Sequence, residues 1–259
     1  MRPFVSGYRT WHMVKKFLIA LCLYTILVHP ARAASESNAS RQVNALFEEA
    51  KQNYSPVELQ RVIALAKGAT DAGGKKITLL LAKALYYKAL SYYINGEIAK
   101  SLTAINASID TFNVATDLMP ASLEAIGYRV AARALLRQMG EVSATAAAVE
   151  RDDAKTLEEA TESNEFALYA SAMTLFYETL ENPKKIKKAA HQFRTLAKND
   201  PQNTEYRAFA LYFLALTDAD KKAAAAASLT QMIQNNPEER LALFLKEKLG
   251  VKQSPHFIP

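Results

Sequence analysis

The sequence predicts an all-α protein. Helix breakers recur at regular intervals, the apolar residues between them repeat with helical period, and no window alternates with period 2 for long enough to make a strand. Gly (8) and Pro (9) are scarce for 259 residues, which excludes a loop-rich, collagenous or disordered chain. With 50% apolar residues the chain can build one large core or two small ones.

The first element, residues 1–33, reads as a secretory signal peptide rather than a part of the fold. Lys15 and Lys16 precede the apolar run 17–28, and Ala31-Arg32-Ala33 supplies a small-residue cleavage site. The run is too short for a permanent span, which needs roughly 20 apolar residues. Cleavage after Ala33 would leave 226 residues. Met13 is an alternative start. Cys22 as a lipidated residue is disfavoured, because Leu21 before it is too large and the apolar run continues past it. The Ala-x-Ala site and the absence of Cys after Cys22 point to a bacterial periplasm. The sequons at Asn38 and Asn106 matter only in a eukaryote, and the kingdom stays open.

About eleven helices follow. Residues 34–75 read as an N-terminal helical pair. Val43, Leu46, Phe47 and Ala50 form one apolar stripe over 37–53. Ser55-Pro56-Val57-Glu58 is a capping box with Pro at the first helical position, opening a helix that Gly73-Gly74 closes. Residues 76–250 form the main body. A strongly apolar helix over 76–94 ends at Asn95-Gly96, and the chain turns back through 97–113. Pro120 opens 120–139 and Gly140 closes it. An Ala-rich, then acidic stretch covers 141–162, and 165–181 follows. Asn182-Pro183 starts a helix ending near Asn199. Residues 204–217 and 219–235 make a further pair, and Asn236-Pro237-Glu238-Glu239 starts the last helix, stopped by Gly250. Residues 251–259 are a C-terminal tail. Roughly ten of these helices can pair as antiparallel hairpins across short turns.

Charge and rare residues narrow the function. The net charge of +6 is concentrated at one end: Arg2, Arg9, Lys15, Lys16 and Arg32 fall in residues 1–33 with no acid. The remainder carries 27 bases against 26 acids. A near-neutral exported chain speaks against nucleic acid as partner. Beyond residue 33 there is no Cys, no Trp and only two His, which excludes disulfides, thiol catalysis and Cys/His zinc sites. The carboxylate pairs Glu48-Glu49, Asp152-Asp153 and Glu158-Glu159 read as solvated faces, since adjacent helical residues diverge. His191 lacks a nucleophile at a matching spacing, and no cofactor motif is present. The chain therefore reads as a non-enzyme. A helical-toroid glycan hydrolase would need two carboxylates roughly 5–9.5 Å apart in a cleft.

The clearest repeats end at Pro201 and Pro237, 36 residues apart. Aligned from these prolines, Met173, Phe176, Tyr177 and Leu180 match Phe209, Tyr212, Phe213 and Leu216. Ala189, Phe193 and Leu196 match Ala225, Leu229 and Met232. A third copy runs Leu85, Ala89, Tyr92, Gly96, Ile98, Ser101, Ile105, Ser108, and a fourth keeps Leu136 and Gly140. On these residues the chain resembles the tetratricopeptide repeat, a helix pair of about 34 residues. It departs from that family where Phe176-Tyr177 and Tyr212-Phe213 replace the Leu-Gly pair.

The resemblance implies an α-solenoid of antiparallel hairpins with 237–249 as a C-terminal capping helix. It implies a scaffold binding another envelope protein or peptide. It places Lys83, Tyr86, Leu90 and Tyr93 on a concave partner groove and Tyr92 in the core. The Lys/Asn pair with which some members clamp a peptide carboxylate is not kept at the matching sites. A second surface is charged: Lys184, Lys187, Lys188, His191 and Lys198 form a basic face that would suit an anionic lipid, a glycan or an acidic partner. Seven acids between Glu150 and Glu165 would complement it from a neighbouring helix. The alternative function is an accessory component of a periplasmic transporter, binding a small solute or docking a solute-binding protein.

Overall fold

The computed structural model describes residue 38 and residues 40–141, 146–160, 164–178, 182–237 and 240–250. The expected signal peptide and C-terminal tail lie outside the described residues. Every regular element described is helical: α1 (40–53), α2 (Pro56–Ile94), α3 (Ile98–Leu118), α4 (Leu123–Gln138), α5 (Ala146–Glu159), α6 (Glu165–Glu178), α7 (Pro183–Asn199), α8 (Thr204–Thr217), α9 (Lys222–Asn235) and α10 (Arg240–Gly250), with a 3₁₀ turn at Ala219–Lys221. No helix among the described residues is long and apolar enough to cross a membrane.

The caps explain most boundaries. The Ser55 hydroxyl accepts the Glu58 N–H, and Pro56 sits where its missing N–H costs nothing. α2 is two helices joined at Gly74, whose φ of 55° and ψ of −150° lie outside helical space. Such a backbone favours glycine. Asn182 and Asn203 cap α7 and α8 through their side-chain oxygens. Two boundaries differ from expectation. α3 runs on to Leu118 instead of stopping at residue 113. α4 is opened by Ser122, which accepts the Ala125 N–H, so Pro120 lies in the preceding turn.

Consecutive helices pack against each other from α2 to α5 and from α6 to α10. Alternate helices also meet, α2 with α4, α4 with α6, and α8 with α10. The α4–α6 approach is close because Gly127 has no side chain: a Cβ there would sit 2.8 Å from the Phe166 carbonyl oxygen. α10 returns to the C-terminal end of α2. Phe244 packs edge-on against Tyr93 at 6.1 Å, and Arg240 donates to Asn95 at 3.3 Å.

One hydrophobic core extends from Val43 to Leu249. Its centre is aromatic. Phe193 stacks on Phe209 and Phe213 with Phe176 edge-on beside them, and a second group, Phe47, Tyr86, Tyr87, Tyr128 and Tyr169, meets edge-on or tilted. The hydroxyls of this second group need partners in a dry interior. Glu205 provides them, accepting from Tyr87 at 2.7 Å and from Tyr169 at 2.9 Å. Tyr169 and Tyr86 share a further bond at 3.1 Å, and Tyr87 and Tyr128 one at 3.3 Å.

Candidate functional site

The expected groove face is part of the interior. Tyr86 is 0% exposed, Leu90 1% and Lys83 8%. Tyr86 is enclosed by Tyr87, Tyr128 and Tyr169. Lys83 donates to Glu124 at 2.7 Å. Burial opposes the charge on Lys83, but the Tyr128 hydroxyl and the Glu124 carboxylate outweigh it, and its pKa is raised. Tyr93 is partly buried between Tyr177 and Phe244. Tyr92, expected in the core, is partly buried at the edge with Lys88 and Lys100 over its ring. The helix is thus rotated relative to the repeat register, so Lys83, Tyr86 and Leu90 offer no surface to a partner and Tyr93 only part of its ring.

Lys184, Lys187, Lys188, His191 and Lys198 are all exposed on α7. Their expected complement by the acidic helix is not found among the described residues. Of the α5 carboxylates, buried Asp153 and half-buried Glu150 pair with α4, and Glu159 pairs with Lys155 of α5 itself.

That α4–α5 contact builds the most distinctive cleft. α3, α4 and α5 enclose about 810 Å³, lined by apolar Ile109, Ile126, Leu136 and Val149 and by many polar groups. α4 carries Arg129, Arg133 and Arg137 four residues apart, which places them on one face. Arg129 grips Asp153 as a fork, Nε to Oδ2 at 2.9 Å and Nη2 to Oδ1 at 2.5 Å. Arg133 Nη1 donates to the same Oδ2 at 2.9 Å. Arg129 Nη1 also donates to Thr116 and, at 3.2 Å, to Asn113 on α3. Arg137 bridges outward to Glu150 at 2.9 Å and to Glu178 of α6 at 3.4 Å.

The floor of the cleft holds two guanidinium groups against one carboxylate. Asp153 is 3% exposed, Arg133 4% and Arg129 8%. Burial pulls the Arg133 pKa below the ordinary arginine value, Asp153 opposes that pull, and Arg129 reinforces it. Arginine nevertheless keeps its charge in proteins. Arg133 Nε is buried without a hydrogen-bond partner. The rim is acidic, with exposed Asp110, Asp117, Glu141 and Asp152. Asp153 is the single buried residue among the described α5 side chains, so α5 is fastened by charge more than by apolar packing.

Reading Asp152-Asp153 as a solvated pair therefore holds for Asp152 and fails for Asp153. The signal that could have found the cluster is the Arg-x₃-Arg-x₃-Arg spacing on an Ala-rich helix, a run of cations that needs a counter-charge once α4 is buried. Among the described residues no group of three His, Cys, Asp or Glu side chains could hold a metal ion. Comparison with protein-family models, curated proteins and solved structures returns no match.

Proposed function

We propose that the chain is a non-catalytic helical scaffold of the tetratricopeptide type, exported to the bacterial periplasm, which docks a segment of another envelope protein. The observation that carries this reading is the α3–α4–α5 cleft. Its volume of about 810 Å³ and mixed apolar and polar lining suit an extended peptide segment. Its floor is held rigid by the Arg129–Asp153–Arg133 cluster, and rigid positioning favours recognition. The 36-residue spacing of Pro201 and Pro237 and the packing of consecutive helices within α2–α5 and within α6–α10 support a stack of antiparallel hairpins. Asp153 is wholly engaged by arginines, which leaves it no role as a general acid or base.

Site-specific photo-crosslinking in intact cells tests the reading. A crosslinker at Asp110 or Thr156 on the cleft should trap one defined envelope protein, and one at exposed Leu243 on α10 should not. Equal trapping at all three positions, or none at the cleft, would overturn it. A trapped solute-binding protein would favour the transporter-accessory role.

A further inference from the structure

The basic face of α7 is independent of the cleft and points to a different kind of partner. The exposed side chains of α7 between Lys184 and Lys198 are Lys184, Lys187, Lys188, His191, Arg194 and Lys198. At about 100° per residue they fall within an arc of roughly 120° along four turns. The opposite face buries Ala189, Ala190, Phe193 and Leu196. The stripe is thus fixed on the outside by the core beneath it.

Among the described residues no ion pair joins this stripe to the acids around it. α7 packs on α6 and α8. Of their carboxylates, Glu165 accepts from Tyr206, Glu178 from Arg137, and Glu205 from Tyr87 and Tyr169. Asp200 stands beyond the helix end as its C-cap, with its own N–H bonded to Leu196. Several of the lysines also crowd the N-terminal half of α7, whose first turn holds no acid. The helix dipole disfavours cations there. Fold stability alone would not select this arrangement.

We infer that α7 is a docking face for an anionic phospholipid bilayer. The stripe is dominated by lysine, a residue depleted at protein interfaces, and no large apolar side chain is exposed on α7. A bare array of ammonium groups lacks the anchors that a protein partner grips. It matches a diffuse layer of phosphate charge, which rewards each nearby cation about equally. Exposed lysines also keep their full reach toward the headgroups without inserting, so binding should be reversible and governed by salt.

The test is co-sedimentation of the protein, purified as the cell processes it, with vesicles of phosphatidylcholine alone or mixed with phosphatidylglycerol. Wild type should pellet with the anionic vesicles, and about 1 M salt should release it, because the screening length shrinks to about 3 Å. Lys187→Gln with Lys188→Gln should weaken binding about 25-fold, at about fivefold per cation. Lys→Arg at both positions should restore it. Both variants change only exposed groups, so their melting curves should match wild type. Failure of wild type to bind anionic vesicles, equal binding to neutral ones, or undiminished binding by the double Gln variant would overturn the inference. Tighter binding to duplex DNA than to the vesicles would also overturn it.

Discussion

Replacing Asp153 by Asn would remove one negative charge from beneath two buried cations. Arg129 and Arg133 are one helical turn apart, about 6 Å. Unscreened by Asp153, they repel by ~3 kcal/mol at an effective dielectric constant of about 20. The carboxylate also receives three guanidinium hydrogen bonds, at 2.9, 2.5 and 2.9 Å. An Asn keeps one acceptor oxygen and adds an N–H₂ that faces other donors. Breaking such a buried pair costs about 3–5 kcal/mol when nothing relaxes. Here something can relax, because α5 is fastened chiefly through Asp153. Releasing α5 lets water reach both arginines and caps the loss.

The expected outcome is therefore local. In hydrogen exchange the α5 amides of Asp153→Asn should lose their protection while those of α7 and α8 keep theirs, and trypsin should cut at Arg151 or Lys155. Global stability from urea unfolding should fall by less than the full ~3–5 kcal/mol. Asp152→Asn, at an exposed neighbour, should change stability by under about 0.5 kcal/mol. Unchanged α5 exchange in Asp153→Asn would refute the reasoning. So would loss of α5 and core protection in a single step.

Two other consequences can be measured directly. Gly127→Ala should destabilise the α4–α6 contact by about 1–3 kcal/mol in urea unfolding, since its Cβ would meet the Phe166 carbonyl oxygen at 2.8 Å and backbone must shift; a neutral result would mean the two helices are not closely packed there. Burial raises the pKa of Tyr86, Tyr87, Tyr128, Tyr169, Tyr177, Tyr206 and Tyr212, so the folded state holds protons that the unfolded state releases. Their contribution is complete below pH about 10 and is lost as pH rises through the folded values. Tyrosinate absorbance should accordingly show a small early phase and a large one coincident with loss of helical circular dichroism, and gradual ionisation of all tyrosines in a still-folded protein would contradict the packing.

What was legible in the sequence depended on whether a helix has unlike faces. Breakers and caps account for the helical class and most boundaries, because Ser55, Gly74 and Asn182 act locally. Rotational phase is a different kind of information. α7 is basic on one side and apolar on the other, so its outward stripe could be read from spacing alone. The second half of α2 is buried without interruption from Ile77 to Tyr87. A helix covered all round shows no stripe, and nothing in its pattern says whether Tyr86 or Tyr92 points inward. The repeat register supplied a phase for it, and the burial of Tyr86 contradicts that phase. α5 fails in the opposite way. From Glu150 to Glu159 it is mostly charged, so the one buried residue among its described side chains, Asp153, is hidden among acids of the same type. Its partner could be found only from the other side, by asking where a buried α4 would place the charges of Arg129 and Arg133. The cleft formed where a buried α4 meets an α5 of like charges, and so its chemistry could be seen only once the two were packed together.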